Sequence, residues 1–286
     1  MIPSRSLPIA VYTRESPLRN PLQLLRAMCA DLLASTELGW RLFLRDMSAQ
    51  YRQSILGYVW AIIPPLVASL PFVFLNSQGV VNMGETKIPY AAYAMIGTII
   101  WQVFVDALST PLKTLAGAKS MLTRINFPRE ALLLSGLGMV VFNFLIRFVL
   151  LVGVFAWFNI LPPTTAFLFP LGIIALTMVG STLGVLLIPL GLLYNDVQQT
   201  IPIAAMFLMF LTPVLYPPPT SGLAGSITAW NPLTPLVTTT RDWLTVGRAG
   251  DMIGFSLVSL ITLFLLFVAW VIYRVALPHV ISRIGN

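Results

Sequence analysis

The sequence predicts an all-α integral membrane protein with six transmembrane helices. An N-terminal interfacial amphipathic helix precedes them, and re-entrant outer helices precede the last span. Three observations predict this. Of 286 residues, 57% are hydrophobic and 9% charged, against about 25% charged in a soluble domain. The apolar residues gather into runs of about 18 to 28, near the ~20 that a helix needs to cross a bilayer core. Lys and Arg are segregated among the connecting segments, as the positive-inside rule requires.

The expected spans are Ile55–Leu75, Tyr90–Leu108, Ala131–Phe158, Phe167–Leu193, Thr200–Tyr216 and Met252–Tyr273. They define a cytoplasmic segment 1–54, a six-span region 55–273 and a cytoplasmic tail 274–286. With the N-terminus inside, thirteen Lys and Arg fall in inner segments and three, Lys87, Arg241 and Arg248, in outer ones. Both termini are therefore expected in the cytoplasm, and the net charge of +7 reads as topology, not as nucleic-acid binding. No cleavable signal peptide is expected, because the first fifty residues carry arginines throughout and no short apolar core. A single cysteine, Cys29, and a single histidine, His279, leave no material for a disulfide, a zinc site or a Ser-His-Asp triad.

Before the first span, Trp40, Phe43, Leu44, Met47 and Tyr51 share one helical face, at offsets 0, 3, 4, 7 and 11. Arg41, Arg45, Ser48 and Arg52 form a strip beside it. An apolar stripe flanked by arginines suits a helix lying along a membrane surface. It also suits a plain juxtamembrane anchor. Gly57 marks the place where such a helix turns upward, and Pro64, Pro65 and Pro71 bend or break the span that follows.

Between the second and third spans, Leu112, Leu115 and Leu122 alternate with Lys113, Lys119 and Arg124, which predicts a short amphipathic helix. Pro128 fits the first turn of the next helix. The segment reads as a compact knob that docks a partner or as a bare connector. The sequence Gly117-Ala118-Lys119-Ser120 is not a phosphate loop, since the pattern needs a glycine before the lysine. No nucleotide-binding motif occurs, so any ATP hydrolysis belongs to another subunit. No cofactor is expected in this chain.

Arg147 lies in the third span, with Asn143 one turn before it. An arginine at mid-membrane costs about 2.5–3.5 kcal/mol on insertion scales, so it must face protein or water. It either lines a hydrophilic pathway or holds a carbonyl or carboxylate within the bundle; the second needs no cargo and is preferred. Asp106 and Asp196 read as helix-end or docking residues. Between the fifth and sixth spans, Asn231 can cap a helix, Pro232 can open it and Gly247 can end it. A hairpin dipping into the outer leaflet fits, as does a surface helix. Most tryptophans fall near expected interfaces; some aromatics also suit stacking on sugar rings.

Three phrases carry a resemblance. They are Arg45-Asp46, Tyr51-Arg52, Ser54, Leu56-Gly57 and Trp60-Ala61; then Ile125-Asn126-Phe127-Pro128-Arg129-Glu130; then Asn231-Pro232-Leu233-Thr234-Pro235 with Arg241. In this order they resemble the membrane subunit of a type-2 ABC exporter of the polysaccharide and polyol-phosphate branch (O-antigen, capsule, teichoic acid). The doubled Pro64-Pro65 stands where that family often has Asn-Pro. The resemblance implies a homodimer in the bacterial inner membrane with two copies of a cytoplasmic ABC ATPase, which bind ATP and magnesium. It implies a channel at the dimer interface passing a lipid-linked glycan.

It further implies ATPase coupling by Arg41, Arg45, Asp46, Arg52, Lys119, Arg124, Asn126, Phe127, Arg129 and Glu130. Channel or gate candidates are Tyr51, Tyr58, Trp60, Asn143, Arg147, Asn231 and Arg241. The rival functions are an ABC permease for a small amphiphile or drug, a membrane-embedded glycosyltransferase and a passive channel. The glycosyltransferase would want a large acidic catalytic loop, and ten scattered Asp and Glu do not supply one.

Overall fold

The computed structural model describes residues 21–52, 54–80, 84, 86–124, 127–219, 221–248 and 250–284. The helices are α1 (Pro21–Arg52), α2 (Ile63–Ser77), α3 (Tyr90–Gly117), α4 (Lys119–Arg124), α5 (Glu130–Trp157), α6 (Phe169–Leu193), α7 (Asn195–Leu211), α8 (Gly222–Trp230), α9 (Leu233–Thr245) and α10 (Met252–Ile284). Short 3-10 turns at Gly57–Ala61 and Thr164–Leu168 lead into α2 and α6. No strand occurs among the described residues.

Among the described residues, four helical segments are long and apolar enough to cross a membrane: α3, α5, α6 with its 3-10 lead-in, and α10. The other two expected spans take different forms. The first divides into the 3-10 turn and the fifteen-residue α2. The fifth is the seventeen-residue α7, which starts at Asn195 and stops at Leu211, so residues 212–216 lie outside it. Pro213 contributes to that stop, because the residue before a proline is pushed out of the α region; Thr212 is extended at φ −109° and ψ 136°.

Two helices outrun their apolar stretches. α3 continues nine residues past Leu108 through Pro111, and Leu112 and Leu115 are fully buried there. α10 continues past Tyr273 through Pro278 to Ile284, burying Leu277 and Val280. Hydropathy marks where a chain leaves hydrocarbon, whereas backbone hydrogen bonding sets where a helix ends. Pro128 precedes the cap of α5 rather than opening its first turn, since α5 begins at Glu130.

α3 is the buried axis, packed against α2, α5, α6, α7 and α9. α5 and α10 turn much of their apolar surface outward, as lipid-facing helices do. The α3–α6 seam is the closest. A Cβ added at Gly180 would lie 2.6 Å from the Phe104 carbonyl oxygen, and one at Gly184 would lie 2.5 Å from that of Leu108. Small residues allow this backbone approach, and packing of this kind holds helices together in lipid.

A second core sits at the α4 end, where Leu42, Leu115, Leu122, Leu192, Tyr273 and Leu277 meet. α1 packs on α5 through Gly39 and Phe43, with Gly39 against Ala131 and Leu134 and Phe43 against Gly138. This is only partly the stripe expected from sequence. Phe43 is buried, but Trp40 and Leu44 are 60% and 39% exposed and form an outward apolar face. Ser35, Gly39 and Leu42 do the packing instead, and two of these are too small to register as hydrophobic.

Candidate functional site

The chain breaks between α1 and α2. α1 ends at Arg52; the Gly57 amide then donates to Ser54 Oγ at 3.1 Å. Gly57 has φ +49°, a left-handed conformation that glycine adopts without strain. The 3-10 turn buries Ala61 and hands over to α2. The turn expected at Gly57 is therefore present, as an elbow rather than a bend in a continuous helix.

Arg147 of α5 reaches this elbow. It is 3% exposed, its Nε donates to the Ala61 carbonyl at 2.7 Å, and its Nη1 pairs with Asp106 Oδ2 of α3 at 2.7 Å. Asn143 and Gln102 also donate to Asp106, each at 3.3 Å. Asp106 is thus no helix-end residue; it lies mid-helix as the counter-ion of Arg147. Removing one partner of a buried pair typically costs about 3–5 kcal/mol, because the other charge is left uncompensated.

The pair borders a polar cleft of about 520 Å³ between α1, the elbow, α3 and α5. Arg45, Asp46, Trp60, Lys113 and Asn143 line it with them. Arg45 pairs with Asp46 at 2.8 Å, and Asp46 accepts from Ser135 Oγ of α5 at 3.3 Å. The cleft therefore brings together two coupling candidates, Arg45 and Asp46, and three channel candidates, Trp60, Asn143 and Arg147. Tyr58 stays outside, 52% exposed and edge-on to Phe142 at 5.8 Å.

The remaining coupling candidates are spread along the α4 end. Arg41 is exposed and pairs with Glu37 at 2.6 Å. Arg52 and Arg124 are exposed at the ends of their helices. Lys119 Nζ donates to the Leu192 carbonyl at 3.3 Å, and Phe127 packs on the second core. Glu130 is 4% exposed and lies beneath Arg274 at 2.8 Å. The same Arg274 pairs with Asp31 of α1, and the Tyr273 hydroxyl donates to the Arg129 carbonyl at 3.1 Å. One arginine of α10 so ties α5 to α1. Asn126 and the side chain of Tyr51 lie outside the described residues.

Asn231 and Arg241 form a separate group at the α9 end. Residues 212–216 are irregular, yet Thr212, Val214 and Leu215 are buried. Their carbonyls find side-chain donors. Arg241 Nη1 donates to the Pro213 and Val214 oxygens at 3.2 and 3.1 Å, and the Tyr93 hydroxyl to the Tyr216 oxygen at 3.1 Å. Asn231 Nδ2 donates to Thr212 Oγ1 at 2.8 Å, while its Oδ1 accepts from the Leu233 amide at 2.9 Å. Non-helical backbone at membrane depth persists only where such partners exist. The Arg241 guanidinium also sits 3.8 Å over the Tyr93 ring. At 1% exposure it faces no open path in this structure. Replacing Asn231 by alanine is expected to cost about 1–2 kcal/mol, from the lost bonds to the Leu233 amide and to Thr212 Oγ1, which keeps its own bond to the Leu208 carbonyl. A fall in melting temperature of the purified protein measures it; an unchanged value would show that both bonds are dispensable.

Sequence reasoning missed Asp31, Tyr93, Gln102 and Arg274. A signal existed for Asp106: an arginine and an aspartate in two apolar spans should be expected to pair. No comparable signal marks Tyr93. Among the described residues, no group of His, Cys, Asp and Glu is placed to hold a metal ion.

The family model of the ABC-2 type transporter matches residues 37–245, well over half of the chain. The chain belongs to the ABC-2 type transporter family. The matched residues run from α1 to the last residue of α9, so they include the elbow, the cleft and the Arg241 cage of this ABC-2 chain. It is similar to two proteins of Klebsiella pneumoniae described as O-antigen export system permease protein RfbA. They are 26% and 24% identical over 205 residues, covering 69% of this chain and 76% of each relative. A protein of the same description from Myxococcus xanthus is 23% identical over 233 residues, 80% of this chain and 88% of the relative.

Proposed function

We propose that this ABC-2 chain is the membrane subunit of an ATP-driven exporter of a lipid-linked polysaccharide of the O-antigen class. The observation that carries the proposal is the family match together with three relatives that all bear an O-antigen export permease description. The chain works as a homodimer in the bacterial inner membrane, with both termini in the cytoplasm and a glycan path where the two copies meet. Two copies of a cytoplasmic ABC ATPase bind ATP and magnesium and dock on α1, α4 and residues 124–130. The excess of Lys and Arg in the segments assigned inside supports this orientation.

Six crossings are compatible with the helix lengths. The 3-10 turn and α2 together rise roughly 32 Å, at about 2.0 and 1.5 Å per residue, against a core of about 30 Å. α7 rises roughly 26 Å, and residues 212–216 extend it. The α8–α9 pair forms the re-entrant hairpin, returning to the surface from which it entered. The exposed face of Trp40 and Leu44 with neighbouring arginines supports α1 as an interfacial lever.

Two outcomes test the proposal. The tagged chain, extracted in mild detergent, should bring down an ABC ATPase in about equal amount. A strain lacking the chain should keep its lipid-linked polymer in the cytoplasm. Absence of an ATPase, under conditions that hold other membrane complexes together, sinks the proposal. A polymer that still reaches the surface in the deletion strain, with a drug-efflux defect instead, transfers it to a small-amphiphile exporter. The lever carries its own prediction. A flexible Gly-Ser linker inserted between Arg52 and Leu56 should leave ATP hydrolysis running while surface polymer falls; unchanged export would show that α1 does not drive α2.

A further inference from the structure

The elbow contains a carbonyl that its own backbone cannot satisfy. In a helix running on from the 3-10 turn, the Ala61 oxygen would accept from the amide three or four residues later. Those residues are Pro64 and Pro65, and neither has an N–H. Ala61 is 6% exposed, so water is a poor substitute. Burying such an oxygen without a partner costs its full desolvation. The partner comes from another helix: Arg147 Nε, at 2.7 Å. The guanidinium is held in turn by Asp106 of α3, itself steadied by Gln102 and Asn143. The doubled proline and the arginine are thus two halves of one device.

We propose that Arg147 is the positioning residue that makes the α1–α2 elbow transmit motion. Without it the turn itself is a loose joint, with a left-handed glycine and two prolines that offer the Ala61 oxygen no amide; the first bond from α2 to α3 comes only beyond it, where Thr98 Oγ1 donates to the Pro65 carbonyl at 3.1 Å. With it, the last residue of the turn is fixed to α5 and, through Asp106, to the buried α3. A displacement of α1 then pivots α2 about a fixed point instead of being absorbed by the residues between them. This rests on the exporter reading above, in which α1 receives the ATPase stroke.

The test separates transmission from mere stability. In the triple variant Arg147→Met, Asp106→Asn, Pro65→Ala, the charges leave together. The alanine introduced at position 65 offers the Ala61 oxygen a backbone amide. The asparagine introduced at position 106 keeps its oxygen for Gln102 and turns its NH2 toward Asn143, whose own amide flips to accept it. No buried group is orphaned, but the bond from α5 to the elbow is gone. The variants are placed in a deletion strain, and surface polymer is measured beside the ATPase rate of the purified complex. The triple variant is expected to assemble and hydrolyse ATP while surface polymer falls at least about ten-fold, a coupling loss of about 1.4 kcal/mol.

Surface polymer equal to wild type at equal ATPase rate would overturn the assignment, since satisfying the carbonyl would then be all that Arg147 does. Should the triple variant fail to assemble, Pro65→Ala alone decides. Its new amide competes with Arg147 for one oxygen, so export per ATP is expected to fall; an unaltered ratio overturns the assignment equally. If even the wild-type chain fails to restore surface polymer to the deletion strain, the exporter reading fails instead.

Discussion

Replacing Arg241 by leucine should abolish most of the folded protein. The guanidinium supplies the donor for two buried carbonyls, at Pro213 and Val214, and rests on the Tyr93 ring. Each orphaned oxygen costs about 1–3 kcal/mol, and a desolvated cation–π contact adds about 2. The total is a large share of the ~5–15 kcal/mol by which a domain is stable. Gly97 leaves no slack, because a Cβ there would run into the Val214 oxygen. Leucine cannot occupy the space between ring and carbonyls without parting α3 from residues 212–216.

Arg241→Lys should be intermediate, since one ammonium cannot both cover the ring and reach two oxygens as a planar fork does. The monodisperse fraction in detergent and its melting temperature give the answer. A stable Arg241→Leu protein with normal assembly but altered export would instead place Arg241 on the transport path, among the channel candidates that the sequence suggests.

Gly184→Val is expected to be as damaging, for a different reason. The added branch must enter space held by the Leu108 carbonyl of α3, which is backbone and cannot rotate away. Overpacking of a close-fitted core costs about 1–3 kcal/mol and sometimes more, and here the neighbouring Gly180 offers no compensating gap. Gly180→Val should behave alike. Leu183→Val, on a side chain 41% exposed, is the control and should change little. Comparable yield and melting temperature for Gly184→Val and the control would mean that the seam is looser than its geometry indicates.

The sequence announces the helices that depend on bulk hydrophobicity and hides what depends on pairing. α3, α5, α6 and α10 are legible because each is a long apolar run. Gly57 and Gly247 are legible because both have positive φ, at +49° and +75°, where glycine is the natural residue. Asn231 is legible in part: α9 opens at Leu233 with Pro232 at its N-cap, one residue later than the spacing suggests, yet Asn231 still takes the Leu233 amide and also secures Thr212.

The partner of Arg147 is legible only from its charge, as an aspartate near the end of another apolar run, and not from any spacing. Asp106 lies 41 positions away on another helix, and no periodicity links them. Hydropathy puts it at a helix end because the apolar run stops near it, while α3 itself runs on to Gly117. The packing face of α1 escapes for a related reason. Gly39 fits against α5 by being small and Ser35 is fully buried, whereas a hydrophobic stripe ranks residues by size and greasiness.

The seam between α3 and α6 restricts how such a machine can move. Slide α6 along its axis by one turn, and Leu176 or Ile188 must replace a glycine opposite a bare carbonyl. Neither fits, so there is no second notch for the pair to settle in. A ratchet between these helices is closed off, and they travel as a keel. Whatever rearrangement admits cargo must be assembled from the parts around that keel: the proposed lever α1, which packs on α5, together with α2, α7, α8 and α9.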